Sequence, residues 1–432
     1  MLHPALLKEL PLLEETDVLV AGAGPAGLCA AVAAARQGCR VTLTERFGAV
    51  GGNLTLGHIR TCMGIVPPGT LKDEIGELLG TGGECRPHNV EDAKYALARW
   101  LHEEGVTLYL QTPVAEVWKE GGTVRGLVVS TPQGLARIAA KTTVDATGDG
   151  MVLALAGVSC VVGRPSDGLT QPASILFTIG GVESDLVCCH ESDGTLINGQ
   201  SYLKLCEEAS RSGELPPDVT IVRLYGDGAP GERMVNATQL CRVDGVNLAD
   251  IARSDRELRE QTDRVIAFLR RHIPGFENCR LLDGADLPGF RETRRMEGLY
   301  TLTAEDIAQG RAFPDAVVHG VNFCFDTHNP DGGGQAEDLA VARGTRPYDI
   351  PYRCFLPKEA DGLLAAGRCI SGTHKAHSSY RVMNICMAMG EAAGIAAALS
   401  AQKGVPPRAL DVKDIQAALQ KAGVTLSDES VL

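Results

Sequence analysis

His374 and His377 stand three residues apart, and Arg381 follows four residues later in the run T-H-K-A-H-S-S-Y-R-V-M. Imidazole exchanges protons near neutral pH, and a guanidinium grips a carboxylate at two points. The set suits general acid–base work beside an anion, although the same residues could cap a helix or bind phosphate. A second cationic group, Arg291, Arg294 and Arg295, lies in G-F-R-E-T-R-R-M-E-G. On a helix these three share a face; they could hold substrate or pair with Glu292 and Glu297. Asp326 and His328 alternate in F-D-T-H-N-P and form a third candidate. No compact His/Asp/Glu set has metal-ligand spacing, so no metal is expected.

A different chemistry is written into residues 17–52, which begin D-V-L-V-A-G-A-G-P-A-G-L. A strand runs into a glycine loop, then a small-residue helix, then a second strand ending in an acid. Gly22 allows the tight turn, Gly24 lets backbone approach a pyrophosphate, and Gly27 lets helix and strand pack closely. Ala23, Pro25 and Ala26 complete the loop, and the helix N-terminus offers unpaired N–H groups to phosphate. Glu45 lies 23 residues after Gly22, close to the ~20 at which an acid accepts ribose hydroxyls. The stretch predicts a bound dinucleotide. Gly226, Gly228 and Gly231 repeat the spacing. The next residues, E-R-M-V-N-A-T-Q-L, are strand-like and lack the small side chains of a phosphate-binding helix. A hairpin loop is expected there.

These residues need a framework, and 432 residues suffice for two to three domains. Charged residues make up 22% and apolar ones 44%, ordinary for a globular chain. A net charge of −13 argues against nucleic acid as a partner. Fourteen cysteines occur without a C-x-x-C, so buried reduced thiols in a cytoplasmic protein are the expectation. No signal peptide is read at the N-terminus. Residues 18–35 are apolar, but their glycines and Pro25 fit the phosphate loop better than a membrane span.

Along the chain, Asn89 is placed to cap a helix ending at Gly105, and residues 106–110 form a further parallel strand. Segments 114–118, 124–129 and 135–139 suit an antiparallel meander, and T-T-V-D-A-T-G-D-G closes it with another strand and turn. Residues 202–211 and 253–271 read as helices in a mixed region. Beyond it come a strand over 352–356, an apolar strand in G-L-L-A-A-G-R, a loop over T-H-K-A-H-S-S-Y-R and a long helix over 382–401. Gly390, Gly394 and Ala397 give that last helix a small-residue stripe for close packing. The expected architecture is α/β: a Rossmann-like dinucleotide domain built from 1–162 and 349–432, split by an inserted α+β substrate or cap domain, 163–348.

The E-R-x-x-x-x-G-G segment, the meander ending D-A-T-G-D-G and the late G-L-L-A-A-G-R before a Gly/Ala-rich helix together resemble FAD proteins of the glutathione-reductase-like superfamily. More narrowly, residues 289–306, 325–330 and 367–383 resemble the FAD-dependent oxidoreductase family related to fumarate reductase and succinate dehydrogenase flavoproteins. By position, the resemblance implies that Arg46 and Val114 lie near the adenosine and Gly51, Gly52 and Asn53 along the cofactor. It puts Ala146, Thr147 and Gly148 beside the adenine end. Gly367, Arg368, Val382 and Met383 would approach the ribityl and flavin. Arg368 stands where many relatives place an acid, which leaves the ribityl contact open. Disulfide-reductase chemistry is unsupported, because no C-x-x-x-x-C lies near the first helix, and no clustered cysteines suggest iron–sulfur. The expectation is non-covalent FAD, with His58 a possible tether, and hydride exchange with a small anionic substrate at a C=C bond in either direction. Alternatives are an alcohol or amine dehydrogenase, or an electron-transfer subunit; the electron partner is unknown.

Overall fold

A computed structural model describes residues 7 and 9–426, apart from 88, 191, 192, 227 and 228. Strand β1 (Leu12–Ala21) is buried over its last four residues and feeds α1 (Pro25–Arg36), whose Pro25 opens the first turn. Strand β2 (Val41–Thr44) returns parallel to β1, with Val18 opposite Val41. A helix α2 (Leu71–Leu78) precedes α3 (Val90–Glu103). Asn89 caps α3 as expected, its side chain accepting from Glu91 N–H, and Leu97, Trp100 and Leu101 face inward. Strand β3 (Thr107–Tyr109) then pairs parallel to β2.

Strands β4 (Val114–Glu120), β5 (Thr123–Thr131) and β6 (Gly134–Asp145) form the antiparallel meander. Residues expected as two strands, 135–139 and 142–145, are one strand, β6. Its first half pairs antiparallel with β5 and its second half parallel with a late strand, while its other edge runs parallel to β1. The sheet order is β3-β2-β1-β6-β5-β4, with the late strand joined to β6.

A second sheet lies in the middle of the chain. Strand β7 (Phe177–Gly180) is its centre, α4 (Tyr202–Ser212) crosses over, and β8 (Arg223–Tyr225) and β9 (Arg233–Asn236) form an antiparallel pair. That pair is the hairpin expected around the second glycine motif, of which Gly228 lies outside the described residues. Helix α5 (Leu248–His272), capped by Asn247, starts five residues before its expected first residue. Strand β10 (Arg280–Gly284) completes the order β8-β9-β7-β10. Phe177, Ile179, Tyr202, Val265, Phe268 and Leu269 share its core. The Arg291–Arg295 stretch is not a helix: short strands at Gly289–Phe290 and Arg294–Met296 replace it.

From Met296 onward the chain packs into the first core, with Leu302, Ile307, Phe313 and Val317 beside β1 and α1 residues. The second core is thus shorter than the expected insertion. Residues 352–355 form a 3-10 turn after the strand Tyr348–Pro351, rather than the expected strand. Strand β11 (Leu363–Ala365) is the late partner of β6. The expected loop after it is helix α6 (His374–Tyr380), because the Thr373 side chain caps it by accepting from Ala376 N–H. Helix α7 (Met383–Lys403) is long and apolar enough to cross a membrane, yet 89% of its apolar window is buried inside the fold. Its Gly390 and Gly394 stripe lies on α1: added Cβ atoms would reach the Ala26 and Ala30 carbonyl oxygens at 2.0 and 2.2 Å.

Candidate active site

The glycine loop folds as its sequence dictates. Gly22 has φ +95°, and a Cβ there would meet the Ala146 carbonyl oxygen at 2.7 Å. A Cβ on Gly27 would collide with the Gly22 carbonyl, so α1 and β1 can approach only through glycine. A Cβ on Gly24 would meet nothing within 4 Å, because Gly24 borders a cavity. Glu45 lines the same cavity at 6% exposure; its Oε2 accepts from Ala23 N–H at 2.7 Å and its Oε1 from Phe47 N–H at 3.0 Å. Burial raises the Glu45 pKa against these two N–H groups.

This first cavity spans about 990 Å³ of atom-free space, open solvent at its mouth included. Gly22, Gly24, Glu45, Arg46, Gly52, Asn53, Val114, Ala146, Thr147, Gly148 and Arg368, all expected near the cofactor, line it. Ala23, Pro25, Ala26, Gly27, Gly51 and Gly367, also expected near the cofactor, are not among its lining residues. Gly51 N–H donates to the Ala23 carbonyl at 2.7 Å, and a Cβ on Gly367 would press on Ala26 Cβ at 3.0 Å. Val382 and Met383 line a second cavity instead. His58, buried beside Asp283, lines neither.

Two acids missed in the sequence hold this cavity's far wall. Asp145 accepts from Thr147 N–H and Oγ1 at 3.0 and 2.6 Å and from Leu153 N–H at 2.9 Å, which fixes the D-A-T-G-D-G turn. Asp149 lies between two arginines, Arg46 Nη2 at 3.0 Å and Arg368 Nη2 at 2.8 Å. Arg368 also donates to the Phe290 carbonyl and packs over Gly148. The second aspartate of the turn was the available signal; its arginine partners lie too far away in sequence to be read.

The second cavity, about 800 Å³ measured in the same way, shares Asn53, Phe290 and Arg368 with the first. Arg291, Asp326, His328 and Arg381 gather on its wall, with Thr61, Met63, Ser174 and Asn236 as further lining. Arg381 Nη2 donates to Asp326 Oδ2 at 2.8 Å and to the Asp326 carbonyl at 2.9 Å. His328 Nε2 lies 3.5 Å from Asp326 Oδ1. Arg291 Nη1 donates to the Pro172 carbonyl at 2.7 Å, and among the described residues no carboxylate pairs with it. Burial, then the neighbouring Arg381, lowers the Arg291 pKa to about 10. Burial and Arg291 push His328 down to about 4. Burial works against the Asp326 carboxylate, but His328, Arg381 and Arg291 outweigh it and hold the group well below its usual range.

His374, His377 and Arg294, expected as catalytic, line neither cavity. His374 Nδ1 lies 2.9 Å from Glu292 Oε1, and that carboxylate also holds the buried Arg295. His377 is 1% exposed, stacks edge-on against Tyr380 and is pushed well below the usual imidazole pKa by burial and then Arg295. Arg294 Nη1 donates to the Asp149 carbonyl at 3.2 Å, behind the first cavity. Of the expected catalytic set, the structure gathers His328, Arg381 and Arg291. The helical fold of 374–380 turns the two histidines toward Glu292 and the interior, whereas a loop would have left them free.

A parallel sheet, a glycine turn at a helix N-terminus and an acid at the end of β2 define a dinucleotide-binding α/β protein. The model of the FAD dependent oxidoreductase family matches residues 17–419, and the chain belongs to that family. The protein is an FAD-dependent enzyme. No curated protein matches the chain. Among solved structures, a geranylgeranyl bacteriochlorophyll reductase-like protein from Thermoplasma acidophilum is 15% identical, over 95% of this chain and 82% of its own, with a TM-score of 0.46. A flavin-dependent brominase is 14% identical over 94% and 83%, with a TM-score of 0.48. A p-nitrophenol 4-monooxygenase from Pseudomonas putida DLL-E4 is 13% identical over 97% and 91%, with a TM-score of 0.46.

The first cavity fits FAD on its own geometry. Open ground lies before Gly24, and the Glu45 carboxylate borders the space where a ribose would offer hydroxyls. The α1 N-terminus supplies N–H groups for the pyrophosphate. Arg46 and Asn53 stand along the same wall.

Proposed function

We propose that this oxidoreductase acts on a small carboxylate-bearing molecule held in the second cavity, reducing a polarised C=C bond or carrying out the reverse oxidation. The observation that carries this reading is the excess of guanidinium over carboxylate on that wall. Arg381 works against the charge on Arg291 there, and Asp326 is engaged by Arg381 and His328. Arg381 Nε is buried with no hydrogen-bond partner among the described residues. An anion between the arginines would satisfy that donor and neutralise the unpaired charge.

FAD, when bound, supplies the two-electron hydride exchange. The chain's residues would hold the substrate carboxylate between Arg291 and Arg381, orienting the reacting bond toward the space shared with the first cavity. His328, neutral at pH 7 and directed by Asp326, would exchange the proton that accompanies hydride transfer. A bound carboxylate offsets the field of the two arginines, so substrate binding raises the imidazole pKa toward the range useful for a proton donor. The kinship to fumarate-reductase-type flavoproteins suggested by the motifs agrees with this chemistry.

Arg291→Gln tests it. Losing one desolvated guanidinium–carboxylate contact, worth ~1.5–3 kcal/mol, should weaken binding of short-chain carboxylates by roughly ten- to a hundredfold, while FAD content stays normal. Titration of the flavin absorbance with mono- and dicarboxylates reads both quantities. Equal affinity in the two proteins, or a clear preference for neutral ligands, would remove the anionic-substrate reading.

A further inference from the structure

The wall of the second cavity carries a pair of sulfurs that the proposed reaction leaves unused. Thr61 and Met63 line the cavity, and Cys62 lies between them with its Sγ 2.7 Å from that of Cys85. The backbones are joined as well, Cys62 N–H donating to the Cys85 carbonyl at 3.0 Å. A main-chain contact of that kind keeps two Cα atoms within the span a disulfide bridges. On its other side the segment is tied to the start of α7. Asn384 Nδ2 donates to the Cys62 and Gly64 carbonyls at 3.3 and 2.9 Å, and Asn384 N–H to the Met63 carbonyl at 3.2 Å.

We propose that Cys62 and Cys85 are a cross-linking site: oxidation by a hydroperoxide joins them in a disulfide that pins the cavity wall to the loop preceding α3. The link to substrate binding rests on the function proposed above; the bond itself does not. Cys62, half-buried where Cys85 is buried, meets the peroxide first. Its sulfur attacks one peroxide oxygen, the O–O bond breaks, and a sulfenic acid and water (or, from an organic peroxide, an alcohol) result. The Cys85 sulfur then attacks the Cys62 sulfur, the S–S bond forms, and the S–O bond breaks with loss of water. Two thiols give up two electrons, the peroxide takes them, and the thiol protons leave in the products. Burial, and then the adjacent Cys85, push the Cys62 thiol well up. Thiolate is therefore scarce at neutral pH, the link forms slowly, and a high-pKa leaving thiol slows its reduction.

The test uses the FAD-loaded protein, hydrogen peroxide, alkylation of free thiols and tryptic mapping without reductant. Peptide 61–72 contains Cys62 as its single cysteine, and peptide 73–94 contains Cys85 as its single cysteine, since Arg86 precedes a proline. The expected result is a covalent link between these two peptides and a loss of two thiols from the 14 per chain, reversed by dithiothreitol. Closing the 22 residues between the pair should raise the melting temperature by about 4 °C. In Cys85→Ser the link should vanish and Cys62 should stay unpaired. The proposal is overturned if peroxide oxidises other cysteines while 61–72 and 73–94 stay separate, or if Cys62 pairs elsewhere in Cys85→Ser. A link that leaves the melting temperature unchanged would overturn the pinning role.

Discussion

His328 sits between a carboxylate that would charge it and two guanidinium groups that would not, and burial settles the contest for the neutral ring. Its folded pKa of about 4 lies below the ordinary 6.5. The unfolded chain therefore binds the extra proton first, and the stability His328 contributes is fully present above pH 6.5 and is lost as pH falls through about 4. In turnover the ring is expected to work as a proton carrier beside the substrate. His328→Asn should slow substrate-linked flavin reduction or reoxidation by ~10²-fold, whereas His377→Asn should alter stability and leave the rate at saturating substrate near that of the parent. Stopped-flow traces of flavin absorbance decide between them. A rate loss confined to His377→Asn would return the acid–base role to the α6 motif. The sequence offered all three histidines with equal chemistry. The Glu292 partner that takes up His374 lies 82 positions away, and no local spacing reports it.

At the scale of elements, the legible parts were those whose cause is local. The glycine turn, the Asn89 cap and the meander follow from backbone freedom, capping and turn residues. Less legible was α6, because its Ser and His content suits a loop as well as a short helix, and the Thr373 cap with the burial of Ala376 to Tyr380 decided the matter. Helix α7 shows how tertiary contact sets chemistry too. Its glycines bring it onto α1, and against α2 it buries Glu391, whose Oε2 accepts from Leu71 N–H at 2.9 Å. Burial, then the negative Glu74, raises Glu391 to about 7, partly opposed by Leu71 N–H and Arg36; Asp73 adds to the rise. An acid with a raised folded pKa contributes stability below its unfolded value of 4.5, lost as pH climbs through about 7. Glu391→Gln keeps an acceptor for Leu71 and has no proton to lose. Urea midpoints at pH 5 and pH 8 should fall between those values in the parent by an amount corresponding to about 2.5 kcal/mol more than in Glu391→Gln. Parallel pH profiles for the two proteins would show that Glu391 is ionised throughout.

Among the described residues the molecule has two principal apolar cores. One draws on residues 18–158 and 296–424, the other on 177–279. The first half of the chain announces its core through strand periodicity. That residues 296–348 join this core and not the middle one could not be read, because an apolar segment fits either until its neighbours in space are known. The first cavity is walled on one side by Gly22, Glu45 and Ala146 and on the other by Leu287, Pro288 and Phe290, which follow β10. A dinucleotide there would touch the first core's part and the segment that follows β10, so its binding would couple that segment to the first part. We propose that the two parts are separate folding units coupled by FAD. Trp100 and Trp118 are the two tryptophans of the chain and both lie in the flavin-binding part, so indole fluorescence reports that part while far-ultraviolet circular dichroism reports both. With FAD bound, thermal transitions by the two probes should coincide. After FAD removal the fluorescence transition should move to lower temperature by several degrees and separate from the dichroism transition, and added FAD should reunite them. Coincident transitions in the FAD-free protein would mean that the contacts between the cores hold the molecule together without the cofactor.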